Sequence, residues 1–373
     1  MKKRNIVLCM MMVLVMMVCS ACASSNVDVQ VREDGSVAVN TTTLLKKTET
    51  DLVLATLESQ MEQSYGADAA QQYLAQINGE LTKNDLVTED GVEYYCIKEG
   101  KECANEKEVQ TYLKENAGFA NVSVDKEHFY GAIVQEKTSE DINEEQMNQM
   151  LDSTLAGGSL TKDDLTTMVN NTKATITISF PQPVTYSNGT YEQGSNQVTW
   201  NFSSDDAKNL GEIYVIYAET TAESTIEADK TAPSVTGIKN KGIYKNKAIK
   251  VTDNKAGVAG ILLDGSVIEN GDKIASVTSE GKHTLMVYDF SMNKKTISFT
   301  YDKTKPVVKG VANGKSYKKS ATIKFSDKYG VKSAKLNGKT IKSGKKVTKK
   351  GSYTLKVTDK AGNVRTVKFK IKK

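Results

Sequence analysis

Gly351-Ser352-Tyr353-Thr354-Leu355-Lys356-Val357-Thr358-Asp359 places Tyr353, Leu355 and Val357 at every second position, and the same spacing returns in Val367, Phe369 and Ile371. A two-residue period puts those side chains on one face of an extended strand, so the two runs read as neighbouring half-buried strands. The stretch is also a copy. Gly281-Lys282-His283-Thr284-Leu285-Met286-Val287-Tyr288-Asp289 matches it 70 positions earlier. Asp229-Lys230-Thr231-Ala232-Pro233 returns as Asp302-Lys303-Thr304-Lys305-Pro306, a step of 73, and Gly237, Tyr244 and Asp264-Gly265 return as Gly310, Tyr317 and Asn337-Gly338. The step shortens because the second copy loses three residues in a loop. With turn signals about every 8 to 12 residues, the two copies predict two small antiparallel sandwiches, over 231–301 and 302–373.

Upstream the pattern changes. Val27, Val29 and Val31, the turn signal Asp34-Gly35, then Val37 and Val39 predict a hairpin with one buried face. Helical spacing comes next in Leu54, Leu57, Met61 and Tyr65 and in Ala70, Tyr73, Leu74 and Ile77, then in Val109, Tyr112 and Leu113 and in Met147, Met150, Leu151 and Leu155. A last short helix is expected from Thr161, with Asp164 in capping-box spacing and Leu165 and Met168 buried. The period returns to two in Ile176, Ile178 and Phe180, in Val198, Trp200 and Phe202, and in Ile213, Val215 and Tyr217, with Asn188-Gly189 as a hairpin signal. Strands, helices, then strands predict an α+β domain over 27–220, with 221–230 as a polar linker.

Charge is divided as sharply as the periods are. Residues 23–228 carry 13 basic and 35 acidic side chains, net −22, whereas 229–373 carry 34 basic and 10 acidic, net +24. The second repeat is the extreme, with 23 basic side chains against Asp302, Asp327 and Asp359. Twenty-two of the 23 are Lys, which act as hydrated point charges and attract polyanions without reading their detail. Lys318, Lys319, Lys345, Lys346, Lys349 and Lys350 are the candidate contacts. The plainer reading of the same charge is a soluble, self-repelling surface.

The first residues read Lys2-Lys3-Arg4, an apolar run from Ile6 to Cys19, and Ser20-Ala21-Cys22. As a helix the run rises about 21 Å, short of a hydrocarbon core of about 30 Å, so it predicts a cleaved export signal over 1–21. Cys19-Ser20-Ala21-Cys22 resembles the lipobox of bacterial lipoproteins, with Cys19 where Leu is usual. The resemblance implies a diacylglyceryl thioether on Cys22, a tether over 22–26, and a membrane-anchored protein facing outward. The alternative is an ordinary secretory signal with an incidental Cys.

Two further resemblances rest on quoted residues. The strand pair around Asp34-Gly35, together with Thr175-Ile176-Thr177-Ile178-Ser179-Phe180-Pro181 leading through Asn188-Gly189 to Thr199-Trp200, is similar to the LppM-type domain of surface lipoproteins. That family's apolar cavity implies lipid contact, so lipid handling by the N-terminal domain is the rival functional expectation. Asp-x-Thr-x-Pro, Asn-Gly-Lys and Tyr-Thr-Leu-x-Val-Thr-Asp-Lys-Ala-Gly-Asn resemble bacterial immunoglobulin-like (Ig-like) domains, which serve as spacers and binding modules. The first copy departs from this at Asp289-Phe290-Ser291-Met292-Asn293 and is expected to turn differently there. The fold class is therefore multidomain, an α+β N-terminal domain followed by two all-β Ig-like sandwiches.

Catalytic chemistry finds no positive support. The chain has two His and no nucleophile, zinc or phosphate-loop motif, and its acidic pairs Glu140-Asp141, Glu144-Glu145, Asp163-Asp164 and Asp205-Asp206 read as helix caps. No cofactor is implied. A calcium loop at Asp359 to Asn363 is set aside because two oxygen side chains four residues apart supply too few ligands, and Asx-type turn closure is expected instead. Outside the leader only Cys96 and Cys103 remain. A hairpin at Gly100 would bring them together to bond in an oxidising place, whereas an anaerobic surface would leave both free. The expected partners are the membrane and cell-wall polyanions such as teichoic acid. Nucleic acid is not expected, since Tyr317, Phe325, Tyr353 and Phe369 fall at core positions and leave no stacking platform.

Overall fold

The computed structural model describes residues 23–134, 160–204, 206 and 212–372. The leader with Cys22, the helical pattern around Met147 to Leu155, and the acidic residues 140–145 and 205 lie outside the described residues. The chain divides into two units, Met1–Asp229 and Lys230–Lys373.

In the first unit the strands are β1 (Ala23–Val31), β2 (Val37–Lys46), β3 (Val87–Glu89), β4 (Val92–Cys103), β5 (Phe119–Val124), β6 (His128–Val134), β7 (Lys173–Ser179), β8 (Tyr186–Ser187), β9 (Gln197–Ser203) and β10 (Ile213–Glu219). The helices are α1 (Lys47–Tyr65), α2 (Ala67–Leu81), α3 (Glu106–Asn116) and α4 (Lys162–Asn170). Six strands form one sheet in the order β3-β4-β2-β1-β7-β9 and four form another, β5-β6-β10-β8. Val27, Val29 and Val31 alternate inward as expected, and with Ile178, Val198, Trp200, Phe129, Ile216 and α3's Leu113 they build a common core. A second cluster seats the helical pair α1 and α2 on Leu45 and Tyr95 through Leu54, Leu57, Met61, Ala70 and Leu74.

Four expectations change here. Residues 23–26 are no tether: they belong to β1, which is hydrogen-bonded to β2 on one side and to β7 on the other. Cys96 and Cys103 do not approach each other, because β4 runs straight through Gly100 with β2 paired along it, Cys96 opposite Leu44 and Cys103 opposite Val37. Seven residues of strand separate the two thiols by about 23 Å, and both are free and buried. Asn188-Gly189 closes no hairpin; it carries the chain from β8, paired with β10, to Thr190, bridged to Thr199 in the other sheet. The crossing is held by Asn188, whose Oδ1 accepts from Trp200 Nε1 and from the Tyr217 N–H, each at 3.0 Å, while its Nδ2 donates to the Val215 carbonyl at 2.8 Å.

The fourth change concerns the linker. Ser224 caps the short helix α5 (Thr225–Ala228), and Glu219, 1% exposed, accepts from the N–H groups of Thr225 and Ile226 and from the Tyr130 hydroxyl. A helical turn hydrogen-bonded to a buried carboxylate is part of the domain, so the first unit extends to Asp229.

The second unit contains two sandwiches, each with its own core. The first comprises β11 (Ser234–Thr236), β12 (Gly242–Tyr244), β13 (Lys250–Thr252), β14 (Val258–Leu263), β15 (Ser266–Val267), β16 (Gly281–Asp289) and β17 (Lys294–Tyr301), with the helical turn α6 (Ile274–Val277). The second comprises β18 (Val307–Lys309), β19 (Ser316–Lys318), β20 (Ala321–Ser326), β21 (Val331–Leu336), β22 (Lys339–Thr340), β23 (Lys345–Val347), β24 (Gly351–Asp359) and β25 (Val364–Lys372). The sheet orders β12-β17-β16-β14-β15 and β19-β25-β24-β21-β22 are the same, each with one parallel pair at the same place.

The repeated residues do repeated jobs. Tyr244 and Tyr317 accept from the N–H five residues before them, at 2.7 and 2.8 Å. Asp264-Gly265 and Asn337-Gly338 all take positive φ in matching turns. The turn expected to differ does not: Met292 adopts φ 63° where the second copy has Gly362, and Asp289 N–H to Asn293 carbonyl matches Asp359 N–H to Asn363 carbonyl.

Candidate functional site

One sheet face of the second sandwich concentrates exposed lysines. Val367, Phe369 and Ile371 point into the second core, so by alternation Thr366, Lys368, Lys370 and Lys372 of β25 point out. Register extends the set. Lys335 of β21 stands opposite Lys356 of β24, Thr354 opposite Lys368, Ser352 opposite Lys370, and Lys318 of β19 opposite Lys372. Lys318, Lys335, Lys356, Lys368, Lys370 and Lys372 are all exposed and share the outer face of one five-stranded sheet. Like charges directly opposite cost roughly 0.2–1 kcal/mol each, so this arrangement is held against its own repulsion.

The six lysines singled out from sequence are all exposed but do not form one patch. Lys318 is on the face just described. Lys319 comes next in a turn with φ 64°, its N–H bonded to the Lys372 carbonyl. Lys345 and Lys346 belong to β23 in the opposite, three-stranded sheet, where Lys309 and Lys324 also stand opposite each other, and Lys349 and Lys350 lie in the turn before β24. The residues missed, Lys335, Lys356, Lys368, Lys370 and Lys372, alternate with core residues in strands, and that alternation was the signal available.

The aromatic residues are in the core as expected: Tyr353 stacks on Phe369 with centroids 5.3 Å apart, and Tyr317 meets the same ring edge-on at 6.1 Å. Of the acidic residues expected at helix starts, Asp164 makes capping bonds at the start of α4 and Asp206 makes the same kind of bond to Ser203, while 140–145 and 205 lie outside the described residues. Thr161 and Asp164 form a reciprocal capping box at 2.9 and 3.1 Å, and Ser203 and Asp206 form another at 2.8 and 3.2 Å; the Thr161 and Ser203 hydroxyls, donating to the carboxylates at 2.6 and 2.7 Å, and after them the backbone N–H groups of the same two residues, hold both carboxyls below their ordinary range. Asp359 closes its turn by accepting from the N–H groups of Gly362 and Asn363, both at 2.7 Å.

The N-terminal unit has a cleft of about 660 Å³ beside α1, α2 and β4. Its lining mixes Leu54, Leu74 and Tyr95 with Asp51, Glu58 and Asn78, and Asp51 is committed to Lys47 at 2.6 Å and to the Tyr95 hydroxyl at 2.7 Å. An acyl chain would have to sit beside those carboxylates. Among the described residues no helix is long and apolar enough to cross a membrane.

Comparisons with known proteins give low similarity throughout. The folded domain of Mycobacterium tuberculosis LppM is 12% identical, covering 55% of this chain and 92% of that one with a TM-score of 0.28. The N-terminal Ig1-2 module of the Drosophila receptor protein tyrosine phosphatase DLAR is 10% identical, covering 38% of this chain and 100% of that one with a TM-score of 0.16. SGBP-B of the Bacteroides ovatus mixed-linkage glucan utilization locus, solved with a mixed-linkage heptasaccharide, is 14% identical over 53% of this chain and 64% of its own, with a TM-score of 0.16. A family model described as natural killer cell receptor 2B4 matches residues 272–372. No curated protein matches. The chain is an α+β domain followed by two Ig-like sandwiches.

Proposed function

We propose that the protein is a non-catalytic binding protein of the bacterial envelope, anchored through Cys22, whose second sandwich binds anionic wall polymer through the lysine face of its five-stranded sheet. One observation carries the reading: six exposed lysines from four strands share a face, two pairs of them directly opposite, in a domain where charge repulsion has no structural benefit. Lysines in strands are held at fixed spacing, so the face presents a periodic array suited to a polymer whose phosphates also repeat. Point-charge recognition of this kind is strongest at low ionic strength and fades as the Debye length shrinks from about 30 Å at 0.01 M to about 8 Å at 0.15 M.

The anchor rests on the leader and on the strand directly after it. β1 begins at Ala23, so a lipid on the preceding residue would hold the six-stranded sheet at the membrane with no slack between them. The test uses the full chain and purified poly(glycerol phosphate) teichoic acid, with binding monitored as salt is raised. Saturable binding that weakens steeply with salt is expected; no binding at low salt overturns the proposal.

A further inference from the structure

In a domain with 23 basic side chains, the three acidic ones meet. One carboxylate oxygen from each of Asp302, Asp327 and Asp359 lies within 4.8 Å of the others. They arrive from separate places: Asp302 directly after β17, Asp327 directly after β20, and Asp359 at the end of β24. Asp302 is 1% exposed and Asp359 0%.

Turn closure accounts for half of these oxygens. Oδ1 of Asp302 accepts from the Thr304 N–H at 3.0 Å, Oδ1 of Asp327 from Tyr329 and Gly330 at 2.9 and 3.0 Å, and Oδ1 of Asp359 from Gly362 and Asn363. Oδ2 of Asp302 and Oδ2 of Asp359 are buried with no hydrogen-bond partner. Among the described residues no lysine or arginine pairs with any of the three carboxylates, although basic side chains are abundant everywhere else in the domain. Burial, and after it the neighbouring charges of Asp327, Asp359 and Glu280, push the Asp302 carboxyl above its ordinary range, against the opposing Thr304 N–H. Buried anions left uncompensated beside one another are strongly disfavoured, and a bound cation removes that penalty.

We propose that Asp302, Asp327 and Asp359 hold a divalent cation, Ca²⁺, at the start of the second sandwich. The donors are all hard oxygens and the domain has no His or Cys, which suits Ca²⁺ over zinc or copper. Three carboxylates supply the charge, and backbone carbonyls and water complete a shell of about six to eight oxygens. The sequence-based objection of too few ligands counted only Asp359 and Asn363; the fold adds two carboxylates from 32 and 57 positions upstream. The first sandwich repeats the device at Asp253, whose Oδ2 accepts from the N–H groups of Lys255 and Gly257 while its Oδ1 is buried without a partner. A cation at the second-sandwich site ties the segment entering that sandwich to two of its turns.

The full chain, freed of metal with a chelator, is titrated with Ca²⁺ by calorimetry, and Tb³⁺ luminescence excited through tyrosine reports occupancy directly. Saturable binding is expected, with a rise of several degrees in the thermal midpoint that chelator reverses. Asp327→Asn, in a half-buried turn residue that keeps its Oδ1 acceptor, is expected to remove one equivalent of bound ion or weaken it at least tenfold. Asp302→Asn serves the same purpose should the first variant lose its native circular dichroism. No saturable binding by the wild type at millimolar Ca²⁺, or unchanged stoichiometry and affinity in a folded variant, overturns the proposal.

Discussion

Asn363 donates its side-chain N–H to the backbone carbonyl of Asp302 at 2.8 Å, joining the turn between the last two strands to the residue that opens the same sandwich, 61 positions earlier. Both residues are 1% exposed, so no water replaces the bond once it is lost. Asn363→Ala leaves a buried carbonyl unpaired and is expected to cost about 1–3 kcal/mol of the second sandwich's stability, read from urea unfolding. A midpoint unchanged within error would show that the contact contributes nothing.

Gly310 has φ 85°, and a Cβ built there would lie 1.9 Å from the Thr322 carbonyl oxygen; Gly237 repeats both features, with 89° and 2.0 Å to the Ala248 carbonyl. Because the obstacle is backbone in a paired strand, it cannot swing aside. Gly310→Ala should cost roughly 3 kcal/mol or more, whereas Gly314→Ala, at φ 76° with nothing nearby, should cost about 1 kcal/mol. Thermal unfolding of the two variants side by side distinguishes steric exclusion from backbone strain alone.

Cys96 and Cys103 should both be alkylated without prior reduction once the chain is denatured, and tryptic cleavage at Lys98 and Lys101 should release them on separate peptides. Under native conditions labelling should be slow, since burial raises the Cys103 thiol above its ordinary pKa and keeps reagent out. A linked peptide pair in unreduced digests would contradict the straight course of β4.

Asp125, in the turn between β5 and β6, accepts from the N–H groups of Glu127 and His128 at 2.8 and 2.9 Å and from the His128 ring at 2.8 Å. Burial raises its pKa, but these bonds outweigh it and hold the carboxyl below the usual range. A depressed folded pKa contributes stability above the unfolded value, about 3.9, and that contribution is lost as pH falls through the folded one. The gap in melting temperature between wild type and Asp125→Asn should therefore be largest near neutrality and close below about pH 4. The effect should be small, since the side chain is 53% exposed and screened by solvent.

Lys356→Glu combined with Lys368→Glu and Lys370→Glu alters exposed positions of the proposed binding face and leaves every core residue in place. Polymer binding at low salt should fall at least tenfold and the salt dependence should flatten, with the circular dichroism spectrum unchanged. Equal binding by the variant would place the contact elsewhere, for instance around Lys345 and Lys346.

Local periodicity and turn chemistry wrote most of the elements into the sequence. Alternation of Val27, Val29 and Val31, the helical spacing of Leu54 and Leu57, and the repeated Asp264-Gly265 and Asn337-Gly338 turns each depend on neighbours within a few residues, and each is where it was expected. The same is true of the two sandwiches as a repeated unit and of the sharp change in charge between the halves of the chain.

Pairing between distant strands settled the rest, because register is a property of two segments and cannot be read from one. β2 running alongside β4 keeps Gly100 in a straight strand and separates Cys96 from Cys103; β10 and β9 drawing on opposite ends of one short segment turn Asn188-Gly189 into a crossing between sheets. Alternation placed Lys335, Lys356, Lys368 and Lys370 on outer faces, but only the order β19-β25-β24-β21-β22 assembled them into one. Asp302, Asp327 and Asp359 lie far apart along the chain and came together because the segment entering the second sandwich passes the ends of two of its strands, a consequence of topology that no spacing rule encodes.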